Sequence, residues 1–288
     1  MTENGNRPGV TISSGARVRA SGPILILAVL FVVAVFLSWY FTWFGRSLSD
    51  STISKYLNDE KHPRHVQHAL LQIQERLEKG DHNSPRQWYP RIISLAGNPE
   101  TEFRLTVAWL MGSDSREPEF HQALLKLLQD SEPIVRRNAA LALLRFSDSS
   151  GRQELAAILE PYTLRAPKNG VVASTLQQGS QLTRGALLAR IQSDDSSVVE
   201  VRCPLPGKIE KLLVQNGGRV SVGDALLTIE SDDESRWEAL RGLALIGVAA
   251  DQPVVERYLQ PSVKVSDQIR EQARLTVKAI QQRSDSNK

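Results

Sequence analysis

One short motif is written twice between Leu164 and Glu230, and it constrains the fold more than anything else in the chain. The first copy runs Leu164-Arg165-Ala166-Pro167-Lys168-Asn169-Gly170, then Gly179 and Gly185, and closes on Leu187-Leu188-Ala189-Arg190-Ile191. The second runs Val201-Arg202-Cys203-Pro204-Leu205-Pro206-Gly207, then Gly217 and Gly223, and closes on Leu226-Leu227-Thr228-Ile229. The offset is 37 residues from Pro167 to Pro204 and 38 from Gly179 to Gly217, so one insertion separates the copies. Short apolar runs between glycine turns predict strands of a compact sandwich or barrel. Two similar halves predict a pseudo-twofold arrangement, in which each half buries the apolar face of the other.

Helical patterns flank this stretch on both sides. Pro63 stands at a first helical position, and Val66, Leu70, Ile73 and Leu77 form a stripe that stops at Gly80. Ser84-Pro85 opens the next helix, with Trp88, Ile92 and Leu95. Pro99 opens another, with Phe103, Val107, Leu110 and Met111, stopped by Gly112. Phe120, Leu124, Leu127 and Leu128 mark a fourth, and Ser131-Glu132-Pro133 caps a fifth through Phe146. Ser150-Gly151-Arg152-Gln153 has capping-box spacing and opens a sixth. Beyond the doubled motif, helices follow at Glu234–Gly247, from Pro253, and from Asp267 to Gln282. Short loops and a period of about 30 to 45 residues predict an α-solenoid.

The segment Leu127–Leu144 resembles the HEAT-repeat consensus. It has Asp130, Pro133 opening the second helix, Val135-Arg136, and an Ala/Leu-rich run from Ala139 to Leu144. That resemblance implies a fold and a stacking surface. The doubled motif is similar to biotinyl/lipoyl carrier domains, whose prosthetic group sits on a lysine in the hairpin between the halves. The matching hairpin is Gln192-Ser193-Asp194-Asp195-Ser196-Ser197, and it holds no lysine. With no amine to acylate, no prosthetic cofactor is expected at Ser193, Asp194, Asp195 and Ser196. A lysine-free domain of this kind resembles the adaptor proteins of export systems, where it serves as a packing module. Those adaptors carry a coiled-coil hairpin between the halves, and here a short loop stands in its place.

Residues 20–45 hold no charge, and Ile24 to Leu37 is an unbroken apolar run that leads into Trp39, Tyr40, Phe41 and Trp43. About 20 apolar residues suffice for a spanning helix, and amphipathic rings favour the interface. No small-residue cleavage site follows. A single uncleaved transmembrane helix in a lipid bilayer is therefore expected. Arg7, Arg17 and Arg19 precede it, which predicts a cytoplasmic N-terminus and a periplasmic or extracytoplasmic C-terminal region.

The predicted organisation is multidomain α + β. It has a disordered tail (1–19), a membrane helix (20–45), a linker or short helix (46–62) and HEAT-like repeats (63–160). The all-β biotinyl/lipoyl-like sandwich (161–231) is inserted next, between repeats. HEAT-like helices (232–283) and a tail (284–288) complete the chain.

Candidate chemistry is sparse. The net charge of +3 comes without a basic block, which argues against a nucleic-acid partner. Cys203 is the only cysteine, which excludes an internal disulfide and a cysteine-clustered zinc site. It reads as a small buried hydrophobe. His62, His65 and His68 are spaced by three, with Asp81 and His82 as further ligand types. They read as solvated helix-start residues, with no metal expected. Asp194, Asp195, Asp232, Asp233 and Glu234 form two acidic turns that read as solvated, with calcium as the alternative. Arg136, Arg137 and Arg145 read as helix-surface cations. Hydrolase, zincin, phosphate-loop, dinucleotide and haem motifs are missing from the sequence, so no catalytic residue is expected. The function expected is a membrane-anchored, non-catalytic scaffold or adaptor for protein partners of an envelope complex. The alternatives are an accessory subunit of an enzyme complex with a degenerate carrier domain, and a cytoplasm-facing scaffold.

Overall fold

The computed structural model describes residues 22–43, 47–174, 176–194 and 196–286. The tail expected over 1–19 lies outside the described residues. The chain divides into Met1–Ser49 and Asp50–Lys288.

Among the described residues, the first unit holds one helix, α1 (Gly22–Trp43). Among the described residues, no helix is long and apolar enough to cross a membrane. The expected single-pass membrane helix over 20–45, and the localisation built on it, are corrected accordingly.

Five helix pairs make up the helical part of the second unit among the described residues. The first is α2 (Asp50–Leu57) and α3 (Pro63–Glu78). The second begins with a 3-10 turn at Ser84–Trp88, passes into α4 (Tyr89–Leu95) and ends in α5 (Thr101–Met111). The third is α6 (Pro118–Leu127) and α7 (Pro133–Leu144). The fourth opens with α8 (Arg152–Ile158) and closes with α9 (Asp233–Ile246) only after eight strands. The fifth is α10 (Gln252–Glu256), flanked by single 3-10 turns, and α11 (Asp267–Ser286). The β-module thus interrupts a helix pair, where the sequence placed it between repeats. The last helix also runs past residue 283.

The second helix of each pair packs on the next, α3 on α5, α5 on α7, α7 on α9 and α9 on α11, so the stack continues across the insertion. Small residues allow the close approach. A Cβ on Gly242 would lie 2.7 Å from Leu155 Cδ1, and one on Gly112 would lie 3.0 Å from Ala142 Cβ. Phe103, Leu110, Phe120, Leu124 and Leu143 are fully buried between the layers. Proline opens α3, α6 and α7, where its missing N–H leaves no intrahelical bond unmade. The start of α8 is fixed differently from the expected capping box: Asp148 Oδ1 accepts from the Ser150 N–H at 2.6 Å.

An arginine recurs at the fourth position of α5, α7, α9 and α11, as Arg104, Arg136, Arg236 and Arg270. Arg104 Nη1 donates to the carbonyls of Asn98 and Pro99, each at 2.9 Å, in the turn that precedes its helix. Arg136 Nη1 does the same to Asp130 (2.7 Å) and Ser131 (3.1 Å). Arg270 reaches Tyr258, Gln260 and Val263. These carbonyls have no helical partner, and a guanidinium satisfies several at once. Arg104 also holds Asp130 with two bonds, at 2.6 and 2.9 Å, which joins the second pair to the third.

The module has eight strands: β1 (Tyr162–Arg165), β2 (Gly170–Ala173), β3 (Gln181–Leu182), β4 (Leu187–Gln192), β5 (Val198–Arg202), β6 (Gly207–Leu212), β7 (Arg219–Val220) and β8 (Ala225–Ser231). They form two antiparallel four-stranded sheets, ordered β1-β8-β6-β3 and β5-β4-β2-β7. Exchanging the first four strands with the last four turns one order into the other. Val172, Leu188, Ile191, Val201, Ile209, Leu226 and Ile229 share one core. The chain enters on β1 and leaves on β8, which are neighbours, with Tyr162 opposite Ile229. Entry and exit therefore lie side by side, and α8 and α9 still meet as a pair.

Candidate functional site: the β4–β5 hairpin and the solenoid grooves

The internal symmetry is exact enough to identify equivalent positions atom by atom. Gly170 and Gly207 have φ of +156° and +153°. A Cβ on them would lie 2.3 Å from Gln192 O and 2.2 Å from Glu230 O. Gly185 N–H donates to Cys203 O, and Cys203 N–H to Ala186 O, both at 2.8 Å. In the other half, Gly223 N–H donates to Ala166 O, and Ala166 N–H to Asp224 O, again at 2.8 Å. The doubled Pro-x-x-Gly motif is thus the point where each half clasps the closing turn of the other.

The hairpin between the halves runs from β4 to β5. Ser193 is buried, its Oγ donates to Asn169 O at 3.0 Å, and its N–H donates to Ser197 O at 2.9 Å. Ser196 takes a left-handed φ of 64°, and its N–H donates to Ser193 O at 3.0 Å. Asp194 is exposed and pairs with Arg219 at 3.1 Å. Asp195 lies outside the described residues. The tip offers hydroxyls and a carboxylate, a donor set that does not fit a biotinyl or lipoyl amide. One amine does come close from the neighbouring turn: Lys168 Nζ donates to Ser197 Oγ at 2.7 Å. Lys208 and Lys211 stand on β6, exposed.

The two acidic turns do not form one cluster. Asp232 caps α9, its Oδ1 accepting from Ser235 N–H at 2.8 Å, and Asp233 pairs with Arg236 at 3.0 Å. Both carboxylates serve the helix start where the first half has its hairpin. Cys203 is buried, its Sγ donates to Leu205 O at 2.9 Å, and burial pushes the thiol pKa up.

The arginines expected on the surface separate into three environments. Arg136 closes its turn and pairs with Glu154 at 3.2 Å. Arg137 is buried, with one Nη1 lacking a partner, and desolvation pulls its pKa down to about 10. Arg145 is exposed and stands over the Trp109 ring at 6.0 Å. The recurring arginine of α5, α7, α9 and α11 escaped sequence reasoning. Its signal was available as an arginine three residues after the start of the second helix in every pair but the first.

Two concave surfaces lie on the solenoid. A groove of about 660 Å³ has walls from α4 and α6, including Ile93, Gly97, Ala123, Lys126 and Leu127. A notch of about 210 Å³ is lined by Trp109, Gly112, Arg145, Glu238, Arg241 and Leu245. Trp109 is 41% exposed and Leu245 66% exposed, and Arg241 stands 4.5 Å over the Trp237 ring. Tryptophan and arginine around a small-residue floor is the composition of interface hot spots.

The arrangement of paired helices is matched by a family model: HEAT repeats, over residues 89–179. The chain therefore carries HEAT-like repeats in a fold that combines helices with antiparallel sheets. Among solved structures, it is similar to a single-chain, multi-domain long-chain acyl-CoA carboxylase, at 20% identity and a TM-score of 0.24. That similarity covers 39% of this chain and 13% of the carboxylase chain. No curated protein matches the chain.

Proposed function

We propose that the chain is a non-catalytic scaffold or adaptor that binds partner proteins through its HEAT-like helices and through a module of biotinyl/lipoyl type. The observation that carries this reading is the hairpin. Its tip is built of Ser193, Asp194 and Ser196 and is fastened to the body by Asn169, Lys168 and Arg219. A carrier hairpin must present an amine and swing. This one presents none, and Ser193, Asp194 and Ser197 are tied to Asn169, Arg219 and Lys168. The insertion also leaves the solenoid stack intact, so both parts remain available as surfaces. The Trp109–Arg145 notch and the groove between α4 and α6 are the docking faces.

The second reading is an accessory subunit of an enzyme complex with a degenerate carrier domain. Lys168 favours it, because its amine sits at the hairpin. Intact mass of the chain purified from its native host separates the two. An unmodified mass is expected, and a biotin- or lipoyl-sized addition on Lys168 would overturn the scaffold reading. Photo-crosslinking residues at Leu245 and Val198 then test docking in cells. A discrete crosslinked protein that disappears in a Trp109→Ala variant is expected.

A further inference from the structure

We propose that Asp59, His62 and His65 form a binding site for a divalent transition cation, with Zn²⁺ as the ion best suited to the donor set. Asp59 and His62 come from the turn between α2 and α3, and His65 from the first turn of α3. His62 Nδ1 lies 2.8 Å from Asp59 Oδ1 and 2.9 Å from Oδ2, and His65 Nδ1 lies 2.8 Å from Oδ2. Two imidazoles thus aim the same nitrogen at one carboxylate, and the ligand atoms all lie within 4.8 Å of one another. Zinc bonds of 2.0 to 2.2 Å place tetrahedral ligands about 3.3 Å apart, so each contact opens by about 0.5 Å on binding.

The ligands are held in place from behind. The His65 ring stacks on Tyr56 at 4.2 Å with an interplanar angle of 7°. His62 N–H donates to Asp59 O at 3.0 Å and His65 N–H to His62 O at 2.8 Å, which fixes the turn. Glu60, inside the same turn, is bound by Arg91 and by Asn98 Nδ2, the latter at 2.9 Å, from the second helix pair. Such support is what a ligand set needs to keep its geometry.

Imidazole and carboxylate donors suit Zn²⁺, Cu²⁺ and Ni²⁺ in place of the all-oxygen cations. On binding, each imidazole presents the Nδ1 lone pair and carries its proton on Nε2. The cation then replaces the hydrogen bonds to Asp59. The His62 side chain is 65% exposed, so water completes the coordination. The start of α3 opposes a cation slightly, and the Asp59 carboxylate outweighs it at direct contact. The spacing of three in the sequence grouped His68 with His62 and His65, whereas the ligand atoms brought together are those of Asp59, His62 and His65.

The test uses the full chain, stripped with a chelator and titrated with Zn²⁺ by calorimetry and with Co²⁺ by visible absorption. One equivalent of Zn²⁺ is expected, with Co²⁺ ligand-field bands that Zn²⁺ displaces. Asp59→Asn and His65→Ala should each weaken binding by about a hundredfold, while His68→Ala binds as the parent does. Circular dichroism confirms that each variant is folded, and Asp59→Asn, which keeps the side-chain volume, decides the matter if His65→Ala does not fold. Absence of a saturable site in the parent would overturn the proposal. So would parent-like binding by Asp59→Asn and a His62→Ala/His65→Ala double variant, which would mean an adventitious ion only.

Discussion

Arg236 Nη2 donates to Glu230 Oε1 at 2.7 Å, tying the first turn of α9 to the last strand of the β-module. Arg236 occupies the position from which Arg104, Arg136 and Arg270 close the turn before their own helices. In the fourth pair the turn has been replaced by eight strands, and the arginine has changed partners to Glu230 and Asp233. The insertion thus reuses the fastening of an ordinary repeat. Arg236 is nearly buried and its Nε has no partner, so the pair is a junction with a polar cost as well as a gain.

Replacing Arg236 by Met should destabilise the chain by about 1 to 3 kcal/mol, because it leaves Glu230 and Asp233 without their cation. Urea unfolding measures the loss. Limited proteolysis should show earlier cleavage near Ser231, since the junction loosens before the solenoid does.

Gly170→Ala and Gly207→Ala should each cost about 3 kcal/mol or more, and by similar amounts. The new methyl would strike Gln192 O in one half and Glu230 O in the other. Gly179→Ala should cost only about 1 kcal/mol. Its φ is +87°, but nothing lies within 4 Å. Thermal denaturation of the three variants checks the order. A Gly170/Gly207 pair with very different costs would contradict the twofold equivalence.

Asp130 predicts an acid-sensitive contact between the second and third pairs. Burial raises its pKa, but the Arg104 hydrogen bonds, the Glu132 N–H and the charges of Arg104 and Arg136 outweigh burial, so the pKa falls below its ordinary 3.8. A carboxylate depressed in the folded state stabilises the fold above its unfolded pKa and loses that contribution as pH falls through the folded value. Stability from this residue is therefore complete at neutral pH and fades below about pH 4. Asp130→Asn should lower stability at pH 7 and flatten the loss on acidification, read as the urea midpoint against pH.

Cys203 should resist alkylation in the folded chain. It is 2% exposed, and burial keeps the thiol protonated. Iodoacetamide labelling followed by mass spectrometry should be slow in buffer and fast in denaturant. Rapid labelling of the native chain would show that the clasp at Pro204 opens.

Much of this organisation is written in local patterns. The apolar stripes of Val66, Leu70, Ile73 and Leu77, or of Phe120, Leu124 and Leu127, face one side of a helix by periodicity alone. The paired glycines mark turns because few other residues adopt their φ. The capping reading at Ser150 failed because Asp148 supplies the acceptor. Spacing cannot show which nearby carboxylate reaches an N–H.

The candidate sites were less legible. His62 and His65 could be seen in sequence, but Asp59 could not be chosen over Asp81 or His82. The turn that brings it to both rings is held by Arg91 from another pair. Trp109 stands on α5, Arg145 ends α7, and Glu238 and Arg241 come from α9, on the far side of the insertion.

The sequence by itself determined the helical repeats, the doubled β-motif and a hairpin between its copies that holds no lysine. Each is a matter of residue identity at short range, where periodicity and backbone preference act directly. Only the tertiary structure decided that the module interrupts the fourth helix pair and that Arg236 fastens it. It alone decided which acids the recurring arginines take. Those choices depend on contacts between residues far apart in the chain, whose geometry exists only once the helices have stacked.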